Sequence, residues 1–161
     1  MTTPQPPCTT DASDLALIDR ALELAAQTPQ DVTLQVYPRF FARCPAAAPL
    51  FTPISPDFAP HGCANMVMSI IELLRDAAAG KGYVAGYARQ IADEHRSFGV
   101  HEPALYADFL DSLRDELAAA LGPQWTPAMA QAWARQAHML AGCMQAAAVP
   151  PAATAMPAPG R

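Results

Sequence analysis

Apolar side chains along this chain recur every three or four positions, and no segment shows convincing alternation. That period belongs to helices burying one stripe each, not to half-buried strands. Leu15, Ile18, Leu22 and Ala25 mark a first helix over 13–26, with Ser13 or Asp11 as candidate caps. Leu34, Tyr37, Phe40 and Phe41 mark a second over 30–44, where Pro38 predicts a kink or a late start. The run PAAAPLFTPISP that follows reads as turns or short 3-10 pieces. Met66, Val67, Ile70, Leu73 and Leu74 outline a long helix over 59–79, stopped by Gly80 and Gly82. Tyr83, Tyr87, Ile91 and His95 then recur at strict four-residue spacing, so all four share one helical face. Residues 97–100 form a corner around Gly99. Leu105, Tyr106, Phe109, Leu113, Leu117 and Leu121 stripe a helix over 103–121 that Gly122 ends. Thr126 and Pro127 open the last helix, whose stripe is Met129, Trp133, Ala137, Leu140 and Met144.

Proline placement sharpens these boundaries. Seventeen prolines crowd residues 4–7, 45–60 and 150–159, while 61–102, 104–122 and 128–149 contain none. The Pro/Ala/Thr-rich ends, 1–11 and 149–161, are expected to be disordered tails flanking one domain over 12–148. The fold class is therefore all-α, with six to eight helices.

Composition narrows the function. Apolar types make up 52% of the 161 residues and charged types only 16%, against about 25% charged in an average soluble protein. Either the surface is poor in charge, or a good deal of apolar surface is covered by something. The net charge of −5 and the lack of a Lys/Arg-rich run argue against nucleic acid as a partner. No apolar stretch suits a membrane span, and the start MTTPQPPCTT has neither the basic nor the apolar part of a signal peptide. Cys8, Cys44, Cys63 and Cys143 show no CxxC spacing, which favours reduced thiols, a cytoplasmic location and no zinc site.

Two histidines carry the candidate chemistry. His61 opens the long middle helix, and His95 terminates the apolar face of the next. Neutral imidazole is a good ligand for iron and other borderline metals, and one that ends an apolar stripe can present its nitrogen to a dry cavity. His101 and His138 lack such context and read as ordinary surface histidines.

Four segments, in order, carry a family resemblance. VYPRFFARCPAAAPLF resembles the second helix and following corner of bacterial single-domain globins and of the globin domain of flavohaemoglobins. There a tyrosine precedes by fourteen residues a phenylalanine that packs on haem, the spacing of Tyr37 and Phe51. SPDFAPHGCANM resembles the distal helix start of neuroglobin-like globins, which maps the distal histidine onto His61. ADEHRSFGV resembles the proximal segment, with His95 as iron ligand and Phe98 and Val100 against the porphyrin. LGPQWTPAMAQAW resembles the start of the last globin helix. The resemblance implies a globin fold around a haem pocket and haem b (iron protoporphyrin IX) as cofactor. It implies His95 as proximal ligand and Phe51, Phe98, Val100, Tyr106 and Phe109 as haem contacts. Tyr37, His61 and Asn65 would then stand on the distal side. Asn65 occupies a position where globins carry an aliphatic residue, and Tyr106 comes one residue later than the flavohaemoglobin tyrosine that supports the proximal histidine.

The function so implied is reversible binding of O2, and of NO and CO, by a monomer or homodimer. Two alternatives stay open. One is an NO dioxygenase or peroxidase-like enzyme served by a separate reductase. Against it, no acidic residue occurs in AWARQAHMLAGCMQAA, and no GxGxxG motif suggests a flavin or nicotinamide domain. The other is a haem-free sensor or interaction module on the same scaffold. His61 could itself bind the iron, or donate a hydrogen bond above an open site; the polar pair Tyr37 and Asn65 favours the open site.

Overall fold

The computed structural model describes residues 10–51 and 59–148; side chains at 10–13, 59–61 and 148 lie outside that description. The described residues form six α-helices and two 3-10 segments, with no strand. They are α1 (Thr10–Ala25), α2 (Val32–Arg43), α3 (Ala59–Ala78), α4 (Val84–Ser97), α5 (Ala104–Leu121) and α6 (Pro127–Ala148). A 3-10 segment, Pro45–Phe51, follows α2, and another, Gly122–Gln124, follows α5. No described helix is long and apolar enough to cross a membrane. The expected tails lie largely outside the described residues; α1 already begins at Thr10, so Asp11 and Ser13 sit within its first turns and not before them.

Local chemistry sets the ends. Asp31 caps α2 by accepting the Thr33 N–H at 2.9 Å, and Thr126 Oγ1 caps α6 by accepting the Met129 N–H at 3.2 Å. α3 and α4 both end in a paired turn around a left-handed glycine. Gly80 (φ +70°) and Gly99 (φ +90°) each let two main-chain N–H groups fold back on the last carbonyls. α2 runs on through Pro38 without stopping. Pro38 and Leu34 both lie on its exposed face, where water can satisfy the Leu34 carbonyl that the ring leaves without a partner.

The core is built from Ile18, Val36, Val67, Leu74, Leu113, Leu117, Trp133 and Leu140, all essentially inaccessible. α4 packs most extensively on α6, through Val84, Ala88 and Ala92, and α2 packs on α5. Ion pairs tie the layers at their edges. Arg39 Nε meets the buried Glu116 at 2.7 Å, joining α2 to α5. Arg135 and Gln136 on α6 hold the Asp14 carboxylate of α1, with Arg135 Nε at 2.9 Å and Gln136 Nε2 at 3.0 Å. The Arg135 hydrogen bonds hold Asp14 below the usual carboxylate range, against the opposing effect of its burial.

Candidate functional site

Because α4 leans on α6 and α3 on α2, the two touch each other only sparingly. A cavity of about 490 Å³ fills the slot they leave, within the usual size of a cofactor pocket. Its walls are mainly apolar: Phe40, Leu50, Phe51, Ile70, Ile91, Val100, Leu105, Phe109, Leu110 and Met144 among others. A larger, shallower groove of about 750 Å³ runs between α1 and α3. There Asp19 and Arg75 pair with each other at 2.5 Å across the groove.

His95 stands in the last turns of α4 and lines the cavity. Its Nδ1 lies 2.7 Å from the Ile91 carbonyl oxygen one turn back. A carbonyl only accepts, so Nδ1 donates, and in the neutral ring this places the lone pair on Nε2. The His95 main chain is held as well: its carbonyl accepts from Phe98 at 3.0 Å and from Val100 at 3.1 Å in the Gly99 turn. The Tyr106 ring packs edge-on against the imidazole, with centroids 6.1 Å apart.

Tyr37 lines the cavity from α2 and is 7% exposed. Phe41, Phe51 and Phe109 surround it, with Phe51 edge-on at a centroid distance of 5.1 Å. Burial, and more weakly the Cys63 thiol, push its phenol well above the usual range, so the hydroxyl remains a donor. Its only acceptor among the described residues is the Met66 sulfur, 3.6 Å away. A thioether is a weak acceptor, so this buried hydroxyl has stronger bonding to offer.

A globin family model matches residues 34–144, from α2 to near the end of α6. The chain belongs to the globin family. Among curated proteins none matches it.

The residues of this globin fit a haem. An apolar slot, a lining imidazole with Nδ1 tied to a carbonyl and Nε2 without a hydrogen-bond partner among the described residues, and a weakly engaged phenol form a suitable donor set. Phe51, Val100, Tyr106, Phe109, Tyr37, Asn65 and His95 all line the one cavity. Asn65 does so at an exposed edge, together with Ser69 and Tyr87, where the cavity opens between α3 and α4. His61 falls in the first turn of α3, and its side chain lies outside the described residues.

Phe98, unlike the other expected haem contacts, is 76% exposed and is not among the residues lining the cavity. It sits at the cap beyond α4, where the Gly99 turn directs Val100 inward and leaves Phe98 outside. The Tyr106 hydroxyl faces the Ala92 carbonyl at 3.5 Å, so its contact with His95 is one of packing. Cys44, Cys63 and Cys143 are free thiols, and no described cluster could hold a further metal. Met66 reads in the sequence as core filler, yet it partners Tyr37; Ser69, Leu110 and Met144 also line the cavity without any sequence motif to flag them.

Proposed function

We propose that this globin resembles the bacterial single-domain type and binds haem b, and through it O2, NO and CO reversibly. The observation that carries the reading is the hydrogen bond from His95 Nδ1 to the Ile91 carbonyl, which in the neutral ring leaves the lone pair on Nε2 of a cavity-lining side chain. When bound, the haem supplies a ferrous centre with an open position for a diatomic gas. His95 would hold it from the α4 side. Tyr37, with Asn65 and His61, would stand on the opposite side, and the Tyr37 O–H can leave the Met66 sulfur for a better acceptor there. Phe51 and Phe109 fix the Tyr37 ring and exclude water around it. The same arrangement favours ligand binding over peroxide or dioxygen cleavage as the main role. Tyr106 packs beside His95 without hydrogen-bonding to it, and α6 carries no acid to raise its basicity.

Titration with haemin tests the reading. The parent is expected to develop a Soret band at one equivalent and a carbonyl complex after reduction. His95→Gly is expected to lose both and to regain them with added imidazole. A His95→Gly protein that binds haem as tightly as the parent, without imidazole, would overturn the assignment. A single broad visible band in the reduced, ligand-free protein would mark an open position; paired sharp bands would mean that His61 occupies it.

A further inference from the structure

The groove between α1 and α3 combines an apolar floor with an acidic rim. Leu22 of α1 and Ile71 of α3 line its floor, and Met68 stands beside them 46% exposed. A methionine left half open to water offers a soft, adaptable apolar contact. Along the rim, Asp19, Glu23, Asp31 and Glu72 face a single cation, Arg75. Four acids against one base leave the groove a charge of −3, out of −5 for the whole chain. Little of that charge is met within the molecule. Arg75 Nε is held by Asp19 at 2.5 Å. Glu23 pairs with Arg20 at 3.3 Å, but both side chains are more than half exposed, where an ion pair contributes little. Asp31 uses one oxygen to cap α2, and neither it nor Glu72 makes an ion pair among the described residues.

Spacing decides the shape of the occupant. Asp19 and Glu23 stand four residues apart on α1, one turn above the other, and Met68 and Glu72 do the same on α3. Two helical walls with carboxylates at such intervals, over an apolar floor, are the complement of one kind of segment: a helix whose apolar stripe is flanked by Lys or Arg every three or four positions. We propose that this groove docks a basic amphipathic helix of a partner protein. Its apolar stripe covers Met68, Leu22 and Ile71, and its cations reach the carboxylates of both walls. An uncharged apolar helix would cover Glu72 and Asp31 without giving them a partner, at a desolvation cost. A small cation with no apolar face would leave Met68 in water. No residue lines both this groove and the cavity of His95, so the inference stands without the haem reading.

The probe is a dye-labelled synthetic helix with leucines on one face and lysines on the other, titrated with the full chain and followed by fluorescence anisotropy. Saturable one-to-one binding is expected, weakening as salt is added. Glu72→Lys and Met68→Asp are each expected to weaken it by about tenfold or more while keeping the parent's circular dichroism. Glu94→Lys makes the same change of charge at an exposed site of α4 and is expected to leave binding unchanged. Carbodiimide coupling of the bound peptide is expected to join its lysines to Glu23, Asp31 and Glu72. No binding, or equal weakening by Glu94→Lys with couplings spread over the other carboxylates, overturns the proposal; the latter would mean bulk charge attraction. Displacement of the peptide by an equimolar amount of spermine would give the groove to a small polyamine and overturn it too. So would sedimentation of the chain alone as a dimer that Met68→Asp dissociates, which would give the face to a second copy.

Discussion

The two faces of α4 are built on opposite plans. One is small and closed: Val84, Ala88 and Ala92 lie flat against α6 and are almost inaccessible. The other is large and open: Tyr87, Ile91 and His95 line the cavity, Tyr83 stands one turn beyond it, and none of the four is fully buried. Protein completes the first face and not the second. Leaving bulky apolar side chains half covered costs roughly 25 cal/mol for each Å² left in water, so the second face makes physical sense as the seat of a flat apolar group. The strongest helical stripe of the sequence in this region therefore marks the cavity wall, while the packing face is a quieter pattern of alanines.

That contrast can be broken from the closed side first. Ala92→Leu forces three extra carbons into a fully buried site facing α6 and is expected to cost about 3 kcal/mol, read as a fall in urea midpoint for the haem-free protein. Asp14→Ala comes next. It removes a carboxylate that is 1% exposed and joins α1 to α6, for an expected loss of about 2 kcal/mol by the same measurement. The Asp14 carboxyl has a lowered pKa in the folded state, so its contribution is complete above the ordinary value of about 3.9. It is lost as pH falls through the folded value. The stability gap between parent and Asp14→Asn is accordingly expected to be constant near neutrality and to shrink in acid; a gap that widened in acid would reverse the sign.

Gly99→Ala is expected to cost about 1 kcal/mol. The cause is backbone strain at φ +90°, since the added carbon meets nothing closer than Leu50 Cδ2 at 3.6 Å. Thermal unfolding with and without haemin would show whether the loss grows when the cavity is filled. Ile91→Ala, on the open face, is the smallest effect on the empty protein. Its urea midpoint is expected to move by less than the shift of Ala92→Leu, while transfer of haemin to a scavenging apoprotein speeds up. Equal losses from the two substitutions would abolish the distinction between the faces.

Much of this architecture is legible along the chain. The proline-free blocks coincide with α3 to α6, and Gly80, Gly99 and Gly122 stop helices because each takes a positive φ. Thr126 and Pro127 open α6 as their chemistry predicts. His95 stands out because it ends a four-residue repeat, and Tyr37 and Phe51 stand out by their interval. What stays hidden depends on partners far apart in sequence. Nothing periodic links Asp14 to Arg135, or Arg39 to Glu116, yet these pairs fasten α1 to α6 and α2 to α5. The outward position of Phe98 is likewise decided by the turn after it and not by its distance from His95.

His95 is held at two points: its ring by the helical turn before it and its carbonyl by the Gly99 turn after it. A residue clamped at both ends has no independent swing. Any sub-ångström tug on its imidazole has to be shared with Val100 and the entrance to α5, so filling or emptying the cavity should be felt first at that corner. Phe98, bare to solvent on the same bend, is where a fluorophore or a crosslinker would register it.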